Sequence, residues 1–121
     1  MENNERGEVD ITLGGKSYVM RPAYSAIVKI EKALGTRMVP LMNRLQRQDI
    51  GVEDVAVCIC AFIACNKDNR NPPSLDDVGE AVVREGFTSA VLPLSRIFKY
   101  IAEAGPAVKQ TSTGEVDAAP I

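Results

Sequence analysis

The sequence predicts an α+β fold, mainly α, in which an N-terminal β-hairpin packs on a bundle of about four to five helices. Three observations lead there. Residues 8–21 alternate apolar and polar side chains around a Gly14-Gly15 break, the pattern of two half-buried strands joined by a tight turn. From residue 23 onward, apolar residues recur every three or four positions in five stretches, at about 23–34, 38–48, 52–65, 75–85 and 88–104, which is helical spacing. Between these stretches fall Gly35, Gly51, Pro72-Pro73, Gly86 and Gly105-Pro106, residues that end helices.

In the hairpin, a two-residue turn at Gly14-Gly15 sets Leu13 opposite Lys16, Ile11 opposite Tyr18 and Val9 opposite Met20. That register gathers Val9, Ile11, Tyr18 and Met20 on one apolar face, and it sets Glu8 beside Arg21 as an opposite-charge pair across the strands. Pro22 ends the second strand. A two-stranded hairpin is marginal alone, so it is expected to pack on the first helix, near Tyr24 and Ile27. In that helix Ala23, Tyr24, Ile27, Val28, Ile30 and Leu34 form a stripe, and Gly35 caps the C-terminus. Glu31 projects into the same stripe, either as a rim residue in a salt bridge or as a partly buried carboxylate with a basic partner.

Thr36 is a candidate cap for the next helix, in which Met38, Leu41, Met42 and Leu45 share one face and Arg44 and Arg47 the other. Pro40 restricts that helix to a start close by, since proline is tolerated only in a first turn. The stretch Val52–Cys65 carries Val52, Val55, Ala56, Ile59, Phe62 and Ile63 on one side and Cys58, Ala61 and Cys65 on another. A helix apolar nearly all round is central. Asn66–Pro73 reads as a loop. Ser74, with Asp77 three residues on, resembles a capping box and opens a helix with Leu75, Val78, Ala81 and Val82 inward. The last helix places Phe87, Ala90, Val91, Leu94, Ile97, Phe98 and Ile101 on one side, and Pro93 either kinks it or marks its true first turn. Residues 7–105 are thus expected to form a single domain, between a flexible N-terminus at 1–6 and a disordered tail at 106–121.

Composition narrows function by exclusion. Fourteen basic residues against sixteen acidic ones give a net charge of -2, without a basic block, so nucleic acid is not an expected partner. The apolar run near residue 60 is too short to span a bilayer, so no membrane association is expected. The polar, acidic first residues lack the features of a secretory signal. Three clustered cysteines, Cys58, Cys60 and Cys65, are an odd number, which argues for reduced thiols. The expected location is therefore the cytoplasm.

There is no histidine, which removes the commonest general base and metal ligand. Cys58 and Cys60 point about 200° apart on a helix and do not form a metal site. Asp76 and Asp77 lie in a first helical turn, where the helix dipole favours acids. Gly14-Gly15-Lys16 joins strands instead of leading into a helix, so it is no phosphate loop. The chain is expected to need no cofactor and not to be an enzyme, but to bind other proteins.

The segments Gly7-Glu8-Val9, Leu13-Gly14-Gly15-Lys16, Arg21-Pro22, Ala26-Ile27, Ile30-Glu31 and Leu34-Gly35, in this order and at this spacing, resemble a known family. It comprises the small phage and gene-transfer-agent tail proteins classed as tail assembly chaperones, some of which carry the older label of tail tube proteins. Weaker agreement continues through Val52–Ala64 and Val78–Ala90. The cysteine-bearing helix and the loop Asn66–Pro73 depart from the family pattern. The resemblance implies a chaperone that shields the apolar stripes of the tape-measure protein while a tail is built and yields it to tail tube subunits; a second copy of the chain is a separate candidate partner, for the exposed side of the last helix. A structural tail component and a generic protein-binding adaptor are the alternatives.

For a binding surface, the last helix offers Leu92 and Tyr100, about 80° apart on the side that also carries Arg96 and Lys99, away from the core stripe. Met38 and Met42 add adaptable side chains. Leu41, Met42 and Leu45 form the next candidate face.

Overall fold

The computed structural model describes residues 7–103; the expectations for residues 1–6 and 104–121 lie outside the described residues. The chain runs β1 (Val9–Leu13), β2 (Lys16–Met20), α1 (Tyr24–Leu34), α2 (Met38–Gln46), α3 (Val52–Ala64), α4 (Leu75–Glu85) and α5 (Phe87–Glu103). This is an α+β arrangement, mainly α, of one antiparallel hairpin and five helices.

β1 and β2 pair in the register that the alternation predicts: Val9 with Met20, Ile11 with Tyr18 and Leu13 with Lys16. Gly14 and Gly15 both adopt positive φ, 58° and 80°, a conformation that glycine enters without a Cβ penalty and that suits a two-residue hairpin turn. Val9, Ile11, Leu13 and Met20 are buried and Tyr18 is half-buried. Glu8 and Arg21 meet across the strands, with Oε2 2.9 Å from Nε and 2.8 Å from the terminal guanidinium nitrogen.

The hairpin does not sit principally on α1. β1 lies against α5 and α4, and β2 against α3. Tyr24 is accordingly 82% exposed, contrary to its expected place beneath the hairpin. The physical reason is the true centre of the α1 stripe, which is Ala26 and Ile30, both buried. The small side chain of Ala26 lets α1 pack closely on α3 and turns Tyr24 to the edge.

α3 is the axis of the fold, touching α1, α4, α5 and β2. Val55, Cys58, Ile59, Phe62 and Ile63 have no accessible surface, and Phe62 meets Phe98 of α5 edge to face at 6.1 Å. α5 runs unbroken through Pro93, which is buried mid-helix, so the proline does not mark the first turn. Proline has no N–H to give the Ser89 carbonyl.

Polar contacts between and at the ends of helices complete the frame. The Glu31 carboxylate accepts the Met38 N–H at 2.9 Å, capping α2 from the preceding helix, so Glu31 makes neither of the ion pairs expected of it. Thr36 does not cap α2; its hydroxyl donates to the Arg37 carbonyl. Arg44, expected on a solvated face, instead pairs with Asp54 at 2.9 Å, and Asp54 also accepts the Gly51 N–H at the start of α3. Ser74 accepts the Asp77 N–H at 3.1 Å and caps α4.

Candidate protein-binding surface

A chain that binds proteins needs apolar area left open by its own core, together with backbone edges that are closed against unwanted pairing.

At Val19 the β2 edge is covered by the loop after α3. Asn69 accepts the Val19 N–H through Oδ1 at 3.1 Å and donates through Nδ2 to the Val19 carbonyl at 2.9 Å, imitating the two bonds of a neighbouring strand. The buried Asn66 adds a second donor to that carbonyl at 3.0 Å, and the Asn69 amide also reaches the Ile63 carbonyl at 2.9 Å. The Arg21 N–H, just beyond the strand, donates to the Phe62 carbonyl of α3 at 3.0 Å. Asn66 and Asn69 are structural residues within a segment whose composition signals only a loop.

The candidate residues on α5 separate. Leu92 is 62% exposed, and Arg96 and Lys99 are exposed beside it. Tyr100 is half-buried, with its ring over Gly7; a Cβ on residue 7 would come within 2.4 Å of the ring. Tyr100 thus covers the approach to the hairpin, a use that its helical position alone does not reveal. Gly7, at φ 73°, is a position where close approach and backbone conformation both require glycine.

On α2 the candidates also divide. Met38, Leu41 and Leu45 are buried in the core, so Met38 and Leu41 offer no open surface, and their methionine or leucine character serves packing. Met42 is half-buried and, with Val39 and Leu45, lines a groove of about 610 Å³ between α2 and α5, closed on the far side by Ser95, Phe98 and Ala102. Lys99 and Glu103 border it.

A second groove, of about 620 Å³, lies between α3 and α4, where the helical periodicity predicts none. Val52 and Ala56 form one wall, and Leu75, Gly79 and Val83 the other. Val52 and Leu75, expected to point inward, are each 42% exposed, and Val83 is 70% exposed. Nothing lies within 4 Å of the place a Cβ on Gly79 would take, so the floor is open. Glu53, Asp76 and Glu80 line the same groove, with no basic side chain among the lining residues. The helical spacing of Val83 carried the signal, since it falls outside the stripe of Val78, Ala81 and Val82.

The thiols are graded along α3. Burial, with the Asp54 carboxylate adding to it, pushes the Cys58 thiol up to about 12. Cys60 and Cys65 are only half-buried, which corrects the expectation that all three lie within the core. Burial raises Cys60 against a lowering by Lys29. The Cys65 thiol is also raised by burial, and donates to the Arg21 carbonyl at 3.1 Å. Among the described residues no cluster of three or more His, Cys, Asp or Glu side chains could hold a metal ion, and no helix is long and apolar enough to cross a membrane.

The described residues thus form a mainly helical body with two open apolar grooves and a short hairpin whose outer edge is covered at Val19. The family described as phage tail tube protein, GTA-gp10, matches residues 6–103, and the chain belongs to that family. It is therefore a phage or gene-transfer-agent tail-related protein. No curated protein and no solved structure matches the chain.

Proposed function

We propose that the chain is a tail assembly chaperone: a non-enzymatic protein of the bacterial host cytoplasm that binds the tape-measure protein while the tail is built. The observation that carries this reading is the hairpin. A tube wall is a continuous barrel made by strands joining edge to edge, whereas the strands of the described residues are five residues each. The β2 edge is occupied at Val19 by Asn66 and Asn69. The open apolar surface lies instead in helix-lined grooves, which suit a helical client whose own apolar stripe needs cover.

The description of the family favours a second reading, a structural component of the tail tube. One experiment separates the two. The tape-measure protein from the same locus is expressed alone and together with this chain, and its soluble fraction and co-purification are measured. The chaperone reading expects soluble tape-measure protein in complex with the chain. Unchanged insolubility, with the chain polymerising into tubes by itself, supports the tube reading.

A further inference from the structure

We propose that the α3–α4 groove is a socket for a second copy of this chain, which inserts the α5 strip of Leu92, Arg96 and Lys99. The two surfaces are complementary in apolar character and in charge, and this inference does not depend on the chaperone reading. Of the six large hydrophobic side chains most exposed among the described residues, Val52, Leu75 and Val83 line the groove and Leu92 lies on the strip. Apolar side chains gathered in this way mark interaction surfaces more often than scattered ones do.

Charge selects the occupant. The groove holds Glu53, Asp76 and Glu80 and no cation. The dipoles of α3 and α4 account for Glu53 and Asp76, which stand in first turns, but Glu80 is a turn further along and owes little to them. On α5, Leu92, Arg96 and Lys99 follow one another at spacings of four and three, so they line one stripe, and all three are exposed. Glu103 follows a turn later, at the end of the helix. An apolar side chain with two cations behind it thus matches an apolar trough rimmed by three carboxylates. The open space above Gly79 leaves room for a side chain such as Leu92 to enter.

Because the socket and the strip are different surfaces, the contact is head-to-tail, and each copy keeps one unused half until a ring closes or a chain grows. That property gives a specific test. Val83→Asp spoils the socket and leaves the strip; Leu92→Asp spoils the strip and leaves the socket. Both side chains are exposed, so the fold should tolerate each change, which circular dichroism checks. Sedimentation equilibrium at low salt is run on the full chain, on each variant, and on their mixture.

The expected result is concentration-dependent association of the wild type, weakened by salt, and loss of at least about tenfold in affinity for each variant alone. The equimolar mixture should form a heterodimer through the intact socket of one and the intact strip of the other. If either variant unfolds, Glu80→Lys and Arg96→Glu replace the pair in the same mixing design. A wild type that stays monomeric throughout overturns the proposal and leaves the groove to a different basic partner. So does a variant that associates like the wild type, or a mixture that fails to pair.

Discussion

Val52 and Ile59 stand seven residues apart on α3, almost on the same face of the helix, yet Ile59 is wholly enclosed while Val52 is 42% exposed. Around Ile59 the helix is covered by its neighbours. Around Val52 it meets only the wall of α4, across a groove. Periodicity assigns both residues to one stripe, and that assignment holds. What it does not convey is how far along the helix the enclosing neighbours extend. The core is therefore where several elements overlap, and the candidate socket is where the same stripe continues past that overlap.

The contrast should be largest for an inserted charge. Ile59→Asp is expected to abolish cooperative folding, because an unpaired carboxylate in a packed core costs several kcal/mol. Val52→Asp should leave stability within about 0.5 kcal/mol of the parent, measured by thermal or urea melts. Equal losses at the two sites would erase the distinction between core and groove.

Alkaline pH sharpens the same comparison from the enclosed side. The Cys58 thiol, raised from its ordinary value of 9.0 to about 12, stays neutral in the folded chain after it has ionised in the unfolded one. The unfolded state then binds fewer protons, so stability should be level below pH 9 and fall as pH rises from about 9 to about 12. Cys58→Ala should flatten part of that fall. At neutral pH a bulky thiol reagent should label Cys60 and Cys65 well before Cys58, since the thiolate is the reactive form.

Smaller effects concern the closed edge and the caps. Asn69→Ala removes the side-chain partner of the Val19 N–H, and should cost about 2 kcal/mol with faster amide exchange at Val19. Glu31→Ala leaves the Met38 N–H without its acceptor and should cost about 1 kcal/mol, with the effect concentrated in α2.

The hairpin was legible because its information is local. Alternation fixes the face, Gly14-Gly15 fixes the turn, and Glu8 with Arg21 fixes the register a second time. α3 was legible because no face of it is polar. The misplacements share a cause. Spacing alone places Tyr24 inward, but which side of α1 meets α3 depends on how closely Ala26 allows approach. Glu31 looked like one half of an ion pair, yet its partner is a backbone N–H seven residues on. Asn66 and Asn69 looked like loop composition, and their function is visible only once Val19 is beside them. Tyr100 looked like spare apolar surface until Gly7 came to lie under its ring. At the surface, Leu92 is exposed as its position on the helix predicts, since no other element of the described residues covers it. The α3–α4 groove is not legible in the sequence because two inward-facing stripes give no sign of where the helices cease to cover each other.

The most direct test of the assembly role is the number of copies of this chain in purified, finished tails, measured by quantitative mass spectrometry against the tape-measure protein and the major tube subunit. A chaperone that leaves before completion should be absent or present in trace amounts, while remaining abundant in the lysate of cells building tails. Copy numbers matching the major tube subunit, ring after ring, would contradict the account and make the chain a part of the tube.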